Sequence, residues 1–159
     1  MRKSFIALTF LLVPACLSAQ LGGKIYLQRA DSLLQRVLSL YEVKKYGLLM
    51  ETYPRNPKQQ ITYTANTGSE VTQQEVSFLW PYSAIVSGCV SLYKTSGNKK
   101  YKKLMDKQIK PGLDLYWDTT RQPECYQSYP AFAGQNDRYY DDNDWVAIDF
   151  CDYYAVTKN

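Results

Sequence analysis

From Leu27 onward, apolar residues fall at alternating steps of three and four (Leu27, Ala30, Leu34, Val37, Tyr41), which draws one stripe along a helix. The spacing predicts a first helix from about Lys24 to Met50. Pro54, Pro57 and Gly68, set among many Thr, Asn and Gln residues, predict an irregular segment from Glu51 to Ser77. Loops of that length in compact domains are functional or disordered. Pro81 suits the first turn of a second helix, where its missing N–H costs no bond. Ile85, Cys89, Leu92 and Tyr93 then mark its buried side, and Gly97 is placed to end it. Asn98 can cap a third helix, in which Tyr101, Leu104, Met105 and Ile109 form the apolar stripe and Pro111-Gly112 the break. A short helical turn through Tyr116-Trp117 and a loop from Asp118 to Tyr140 lead to a fourth helix, from about Asn143 through Ala155. That helix is apolar on more than one face, as a buried helix is. No strand pattern is convincing, so the chain is read as all-α with prominent loops. Its most apolar helix comes last without a further partner to cover it, so the sequence is expected to be a fragment of a larger domain.

The beginning of the chain changes the picture of where it works. Met1-Arg2-Lys3 carries positive charge, and Phe5 through Cys16 is mostly apolar and uncharged, the pattern of a secretory signal peptide. A permanent span needs roughly 20 apolar residues, and no later segment approaches that, so the mature chain is expected to have no transmembrane segment. Ser18-Ala19 suits ordinary cleavage before Gln20. Val13-Pro14-Ala15-Cys16 loosely resembles a lipoprotein box, in which Pro14 sits badly. Residues 1–19 are therefore assigned to a leader and 20–159 to one domain of ordinary size. The expected location is exported: periplasmic, cell-surface or extracellular.

Composition removes several chemistries. The sequence has no histidine, so Ser-His-Asp and Cys-His catalysis and His-based metal sites cannot be assembled from it. After the leader, Cys89, Cys125 and Cys151 lack the spacing of a disulfide framework or a zinc site, and no metal is expected. Cys89 and Cys151, in apolar helical stretches, are expected to be buried. The net charge of +4 comes mostly from Lys99, Lys100, Lys102, Lys103, Lys107 and Lys110, read as the solvated face of one helix. No stacking aromatics interleave with them, so nucleic acid is not an expected partner. Fifteen tyrosines and three tryptophans suit both carbohydrate faces and aromatic core packing.

The segment Arg138-Tyr139-Tyr140-Asp141-Asp142-Asn143-Asp144-Trp145 places three acids and an amide at a helix start. Asp and Asn are preferred caps, and first-turn acids are favoured by the helix dipole, by about 0.3–1 kcal/mol each. Capping needs one such residue, whereas neighbouring like charges repel. Glycosidic cleavage, in contrast, needs a carboxylic acid to protonate the leaving oxygen and a carboxylate to serve as nucleophile or base. Two adjacent carboxylates help divide those roles, because ionising one raises the pKa of the other.

Tyr140-Asp141-Asp142-Asn143-Asp144-Trp145, followed by Val146-Ala147-Ile148-Asp149-Phe150, resembles the YDDN-x-W signature of glycoside hydrolase family 76. Trp80-Pro81-Tyr82-Ser83-Ala84, Gly97-Asn98-Lys99-Lys100-Tyr101 and Pro111-Gly112-Leu113-Asp114-Leu115-Tyr116-Trp117-Asp118 agree with the same family, so the resemblance extends from about Tyr41 to Asn159. It implies an (α/α)6 barrel, here only its first part, that hydrolyses α-1,6-linked mannan with retention of configuration and without metal or cofactor. It also implies that Asp141 is the nucleophile and Asp142 the general acid/base. Asp144 stands where the family often has a small or apolar residue, and a structural role is assigned to it. Tyr139 and Tyr140 are candidate substrate contacts. Trp145 is a candidate too, although anchoring the first turn of the catalytic helix is the preferred reading. Trp80 and Trp117 are expected to be core anchors. An exported glycan-binding protein without catalysis is the alternative, and it leaves the acid pair unexplained. A helical interaction module would call for a repeat that the chain lacks.

Overall fold

The computed structural model describes residues 4–158 except 57, 59 and 64–69, with 4–22, 61–63 and 70–73 described by backbone alone. Met1-Arg2-Lys3, Pro57 and Gly68 lie outside the described residues. Helix α1 runs Ser4–Tyr41. Most of its stripe faces inward: Leu34 is buried, and Leu27, Val37 and Tyr41 pack against the core, while Ala30 is exposed. The helix stops at Tyr41 instead of continuing to Met50. There β1 (Glu42–Val43) and β2 (Leu48–Leu49) form a small antiparallel hairpin. Two features force the reversal. Gly47 takes a φ of +67°, which favours glycine, and the Tyr46 and Gly47 N–H groups both donate to the Val43 carbonyl. The turn also buries Leu48 and Leu49 together.

The segment read as irregular contains a second hairpin, β3 (Gln60–Tyr63) with β4 (Glu70–Gln73). Ile61, Thr62, Val71 and Thr72 supply the β-branched residues that favour pairing. A third pair, β5 (Trp117–Asp118) with β6 (Cys125–Tyr126), replaces the helical turn expected through Trp117. All three ladders are too short to show an alternating pattern in sequence, which is why no strand was expected.

Helix α2 (Leu79–Ser96) holds Pro81 in its first turn and buries Ile85, Cys89 and Leu92. Gly97 ends it in the left-handed region, its N–H returning to the Tyr93 carbonyl. Asn98 caps α3 (Lys99–Leu104) by accepting from the Lys100 N–H. Pro111 does not break this helix. A π-helical turn (Met105–Ile109) leads into α4 (Lys110–Asp114), and the Lys110 N–H reaches back five residues to Met105. The wider turn takes up the proline that a regular ladder would exclude. Gly112 lies under Tyr82, where a Cβ would collide with the phenol. The lysines of this helix are exposed or half-buried, and Lys100 pairs with Asp31 across to α1.

Helix α5 (Tyr140–Thr157) begins three residues earlier than expected. It packs on α2 through Val146 and Tyr153, while Trp145, Ile148 and Tyr154 are exposed. The expectation of a helix buried on several faces is therefore corrected: one face is buried here. Cys151 is exposed for the same reason, whereas Cys89 is buried as expected. Among the described residues, no helix is long and apolar enough to cross a membrane.

Candidate functional site

The first turns of α2 and α5 meet at one end of the packed pair. Trp80 and Pro81 from α2, and Asp141 and Asp142 from α5, line a single cavity of about 370 Å³, with Glu51, Phe78, Ser128 and Tyr139 completing it. Seven residues further along each helix, the Ser87 hydroxyl donates to Asp149 at 2.6 Å, so α2 and α5 run side by side in the same direction. Both helix N-termini therefore face the cavity, where the positive ends of the helix dipoles favour negative charge.

The start of α5 is held from outside. Its N-cap is Tyr139, whose side chain makes no capping bond, so the acids do not serve as the cap. Arg138 donates from Nε to the Asp118 carboxylate at 3.0 Å and from Nη1 to the Pro123 carbonyl at 2.8 Å. Arg121 donates to the same carboxylate at 2.8 Å. Burial alone would raise the pKa of Asp118, but hydrogen bonds from Thr120, Arg121 and Arg138 outweigh it and hold the group well below the usual carboxylate range. Asn143 ties the helix to β6: its carboxamide accepts from the Tyr126 N–H at 2.9 Å and donates to the Tyr126 and Tyr139 carbonyls, each at 2.9 Å.

The two acids occupy different surroundings. Asp141 is exposed, whereas Asp142 is only 7% exposed. Burial, reinforced by the neighbouring charge of Asp141, pushes the Asp142 carboxyl up to about 6. Desolvation disfavours the charged form and a like charge adds to that, so Asp142 can hold a proton near neutral pH beside an acid that faces solvent. Tyr139 stands at the rim, its hydroxyl donating to Asp137 at 3.1 Å, and burial raises its pKa.

Tyr140 is 93% exposed and lines a separate cavity of which Tyr139 is also a lining residue. Trp145 is 49% exposed and belongs to neither cavity, so the reading of it as a buried anchor is corrected. Asp144 is exposed. Trp80 and Trp117 are not core anchors either. Trp80 is 62% exposed at the carboxylate cavity, and Trp117 donates to Glu124 and packs edge-on against Tyr126. Trp80, Glu51, Phe78 and Ser128 are thus site residues that sequence reasoning did not assign. A tryptophan directly before a helix-opening proline was the available signal for Trp80. Among the described residues, no cluster of acids, cysteines or histidines suits a metal ion.

No protein-family profile matches this sequence, and no curated protein does. The fold is similar to that of a solved glycoside hydrolase family 76 mannosidase from Bacteroides thetaiotaomicron VPI-5482, with a TM-score of 0.62 and 23% identity over 84% of this chain and 33% of that one. The chain spans about a third of the length of that structure. The likeness establishes the fold: an all-α chain with the arrangement of part of an α/α barrel.

Proposed function

We propose that the protein to which this chain belongs is an exported glycoside hydrolase that cleaves α-1,6-mannosidic bonds in α-mannan with retention. The observation that carries this reading is the division between adjacent acids on one cavity: Asp142 buried and raised to about 6, Asp141 open to solvent. The fold shared with a family 76 mannosidase supports the same chemistry.

In the first step, the Asp141 carboxylate attacks the anomeric carbon while Asp142 gives its proton to the glycosidic oxygen, so that the bond to the leaving sugar breaks and a mannosyl ester forms. In the second, Asp142, now ionised, takes a proton from water. The resulting hydroxide equivalent attacks the same carbon and releases Asp141. Trp80 and Tyr139, partly exposed beside the acids, are placed to pack against a sugar face. Proton, nucleophile and platform are supplied by the chain's own residues.

The test is turnover of α-1,6-mannan by the full chain carrying Asp141→Asn, measured beside its thermal melt. The amide keeps the shape of the carboxylate but cannot form the ester, so turnover should vanish with the melt unchanged. Near-normal turnover overturns the assignment, and mannan binding without any turnover in the unmodified protein would favour a glycan-binding role. Export is tested separately by N-terminal sequencing, which should begin near Gln20.

A further inference from the structure

Asp137, three residues before α5, is only 8% exposed, yet among the described residues no cation pairs with it. Buried acids are ordinarily paired. The two arginines of this region are committed elsewhere: Arg138 holds the Asp118 carboxylate and the Pro123 carbonyl, and Arg121 holds Asp118 and the Asn136 carbonyl. What Asp137 does hold is the Tyr139 hydroxyl, which donates to its Oδ2 at 3.1 Å. Tyr139 in turn lines the carboxylate cavity with Asp141 and Asp142. We propose that Asp137 is a positioning residue for the acid pair: it accepts the single O–H of Tyr139 and so keeps that proton from being donated to Asp142. The inference rests on the reading of Asp141 and Asp142 as the catalytic acids.

A phenol has one proton to donate, and a carboxylate can only accept. Turned toward Asp142, the Tyr139 proton would stabilise the ionised carboxylate and lower its pKa, the opposite of what a proton donor at neutral pH requires. The other titratable groups lining the cavity are Asp141 from α5 and Glu51 from the segment before α2. Burial raises the pKa of the Tyr139 phenol, and the Asp137 bond and the charges of Asp142 and Asp141 raise it further, so the O–H stays intact beside the acids. Those charges also place the phenol oxygen within electrostatic reach of both acids. The acceptor is firmly mounted. The Asp137 carbonyl accepts from the Ser128 N–H at 2.7 Å, and the Asn136 N–H before it donates to buried Gln127 at 3.2 Å. An acceptor fixed in this way can hold a hydroxyl rotor in one direction.

The test follows the side-chain carboxyl resonance of Asp142 against pH by carbon NMR of the full chain. In Asp137→Ala the phenol proton is released, and the Asp142 midpoint should move down from about 6 by about one pH unit. That lowers the protonated fraction at pH 7 about tenfold. Asp137→Asn removes the charge but keeps an accepting oxygen, so its midpoint should stay with that of the parent. In a Tyr139→Phe background, Asp137→Ala should no longer move the midpoint. Three results would each overturn the positioning role: an unmoved midpoint in Asp137→Ala, an equal fall in Asp137→Asn, or a fall that persists in the Tyr139→Phe background. The second and third would make the effect one of charge alone. Should Asp137→Ala fail to fold, Tyr139→Phe decides by itself. The Asp142 midpoint should then hold, because the proton removed lies on Asp137, and a rise would overturn the proposal by showing that the phenol already served Asp142. Absence of α-1,6-mannan turnover with the midpoints as expected would overturn the glycosidase reading and leave the proton arrangement standing.

Discussion

Asp142 and Asp149 are the same residue type on the same helix, seven positions apart, and both lie almost fully inside, 7% and 4% exposed. Seven residues is close to two turns, so both face α2. Burial is the main reason that both carboxyls are raised. Their second influences differ. The charge of Asp141 pushes Asp142 further up, whereas the Ser87 hydroxyl pulls Asp149 back. The decisive contrast is access: Asp142 opens on the cavity, while Asp149 sits in the packed α2–α5 interface with its Oδ2 unpartnered. Burial perturbs a carboxyl wherever it occurs, and only a perturbed carboxyl that can reach a substrate is a candidate acid.

The largest effect should separate them directly. Asp142→Ala should lower turnover on α-1,6-mannan by about 10²–10⁴-fold, the usual contribution of a general acid, and azide should partly restore it with activated substrates. Asp149→Ala should cause no comparable loss below its melting temperature; equal losses would erase the distinction. Next comes the clamp that holds only the Asp142 end of α5. Asp118→Ala leaves Arg138 and Arg121 without their buried partner and should cost about 3–5 kcal/mol in urea unfolding. Hydrogen exchange should then quicken first at Tyr139 to Asn143 and later around Asp149, and uniform loosening would contradict a local clamp.

The pH dependence sharpens the contrast further. Because the protonated form of Asp142 is the donor, turnover should fall as pH rises through about 6. Asp141→Asn removes the like charge, so the Asp142 midpoint followed by carbonyl NMR should move down, while that of Asp149 stays put. The smallest effect is expected from Asp149→Asn. A folded-state pKa above the ordinary value near 3.9 means that stability is fully present below that value and is lost as pH rises through the folded midpoint. The amide cannot ionise, so relative to the parent the variant should gain stability as pH is raised from about 4 to 7. A constant difference across that range would show that Asp149 does not titrate there.

Much of the helical framework was legible because its signals are local. Pro81, Gly97 and Asn98 mark helix ends through their own backbone chemistry, and the tandem acids at Asp141 and Asp142 stand out by adjacency alone. The missed elements are those whose cause is remote. The first helix ends at Tyr41 because Gly47 and two buried leucines turn the chain back, and the third helix survives Pro111 because a π turn absorbs it. Trp80 and Trp117 are expected from sequence to be core anchors and Trp145 to anchor the first turn of its helix, but all three are exposed, because exposure depends on what other segments leave uncovered.

What the sequence by itself determined is therefore the helix order, the caps and the presence of two neighbouring carboxylates at a helix start. Only the tertiary structure decided that Glu51, Trp80, Ser128 and Asp142 share one cavity, and that Asp142 is buried while Asp141 is not. The physical reason is that capping and periodicity act over one or two turns of chain. Desolvation, and with it the division of labour between two identical side chains, is set by atoms brought in from α2 and from the loops before it and after β6.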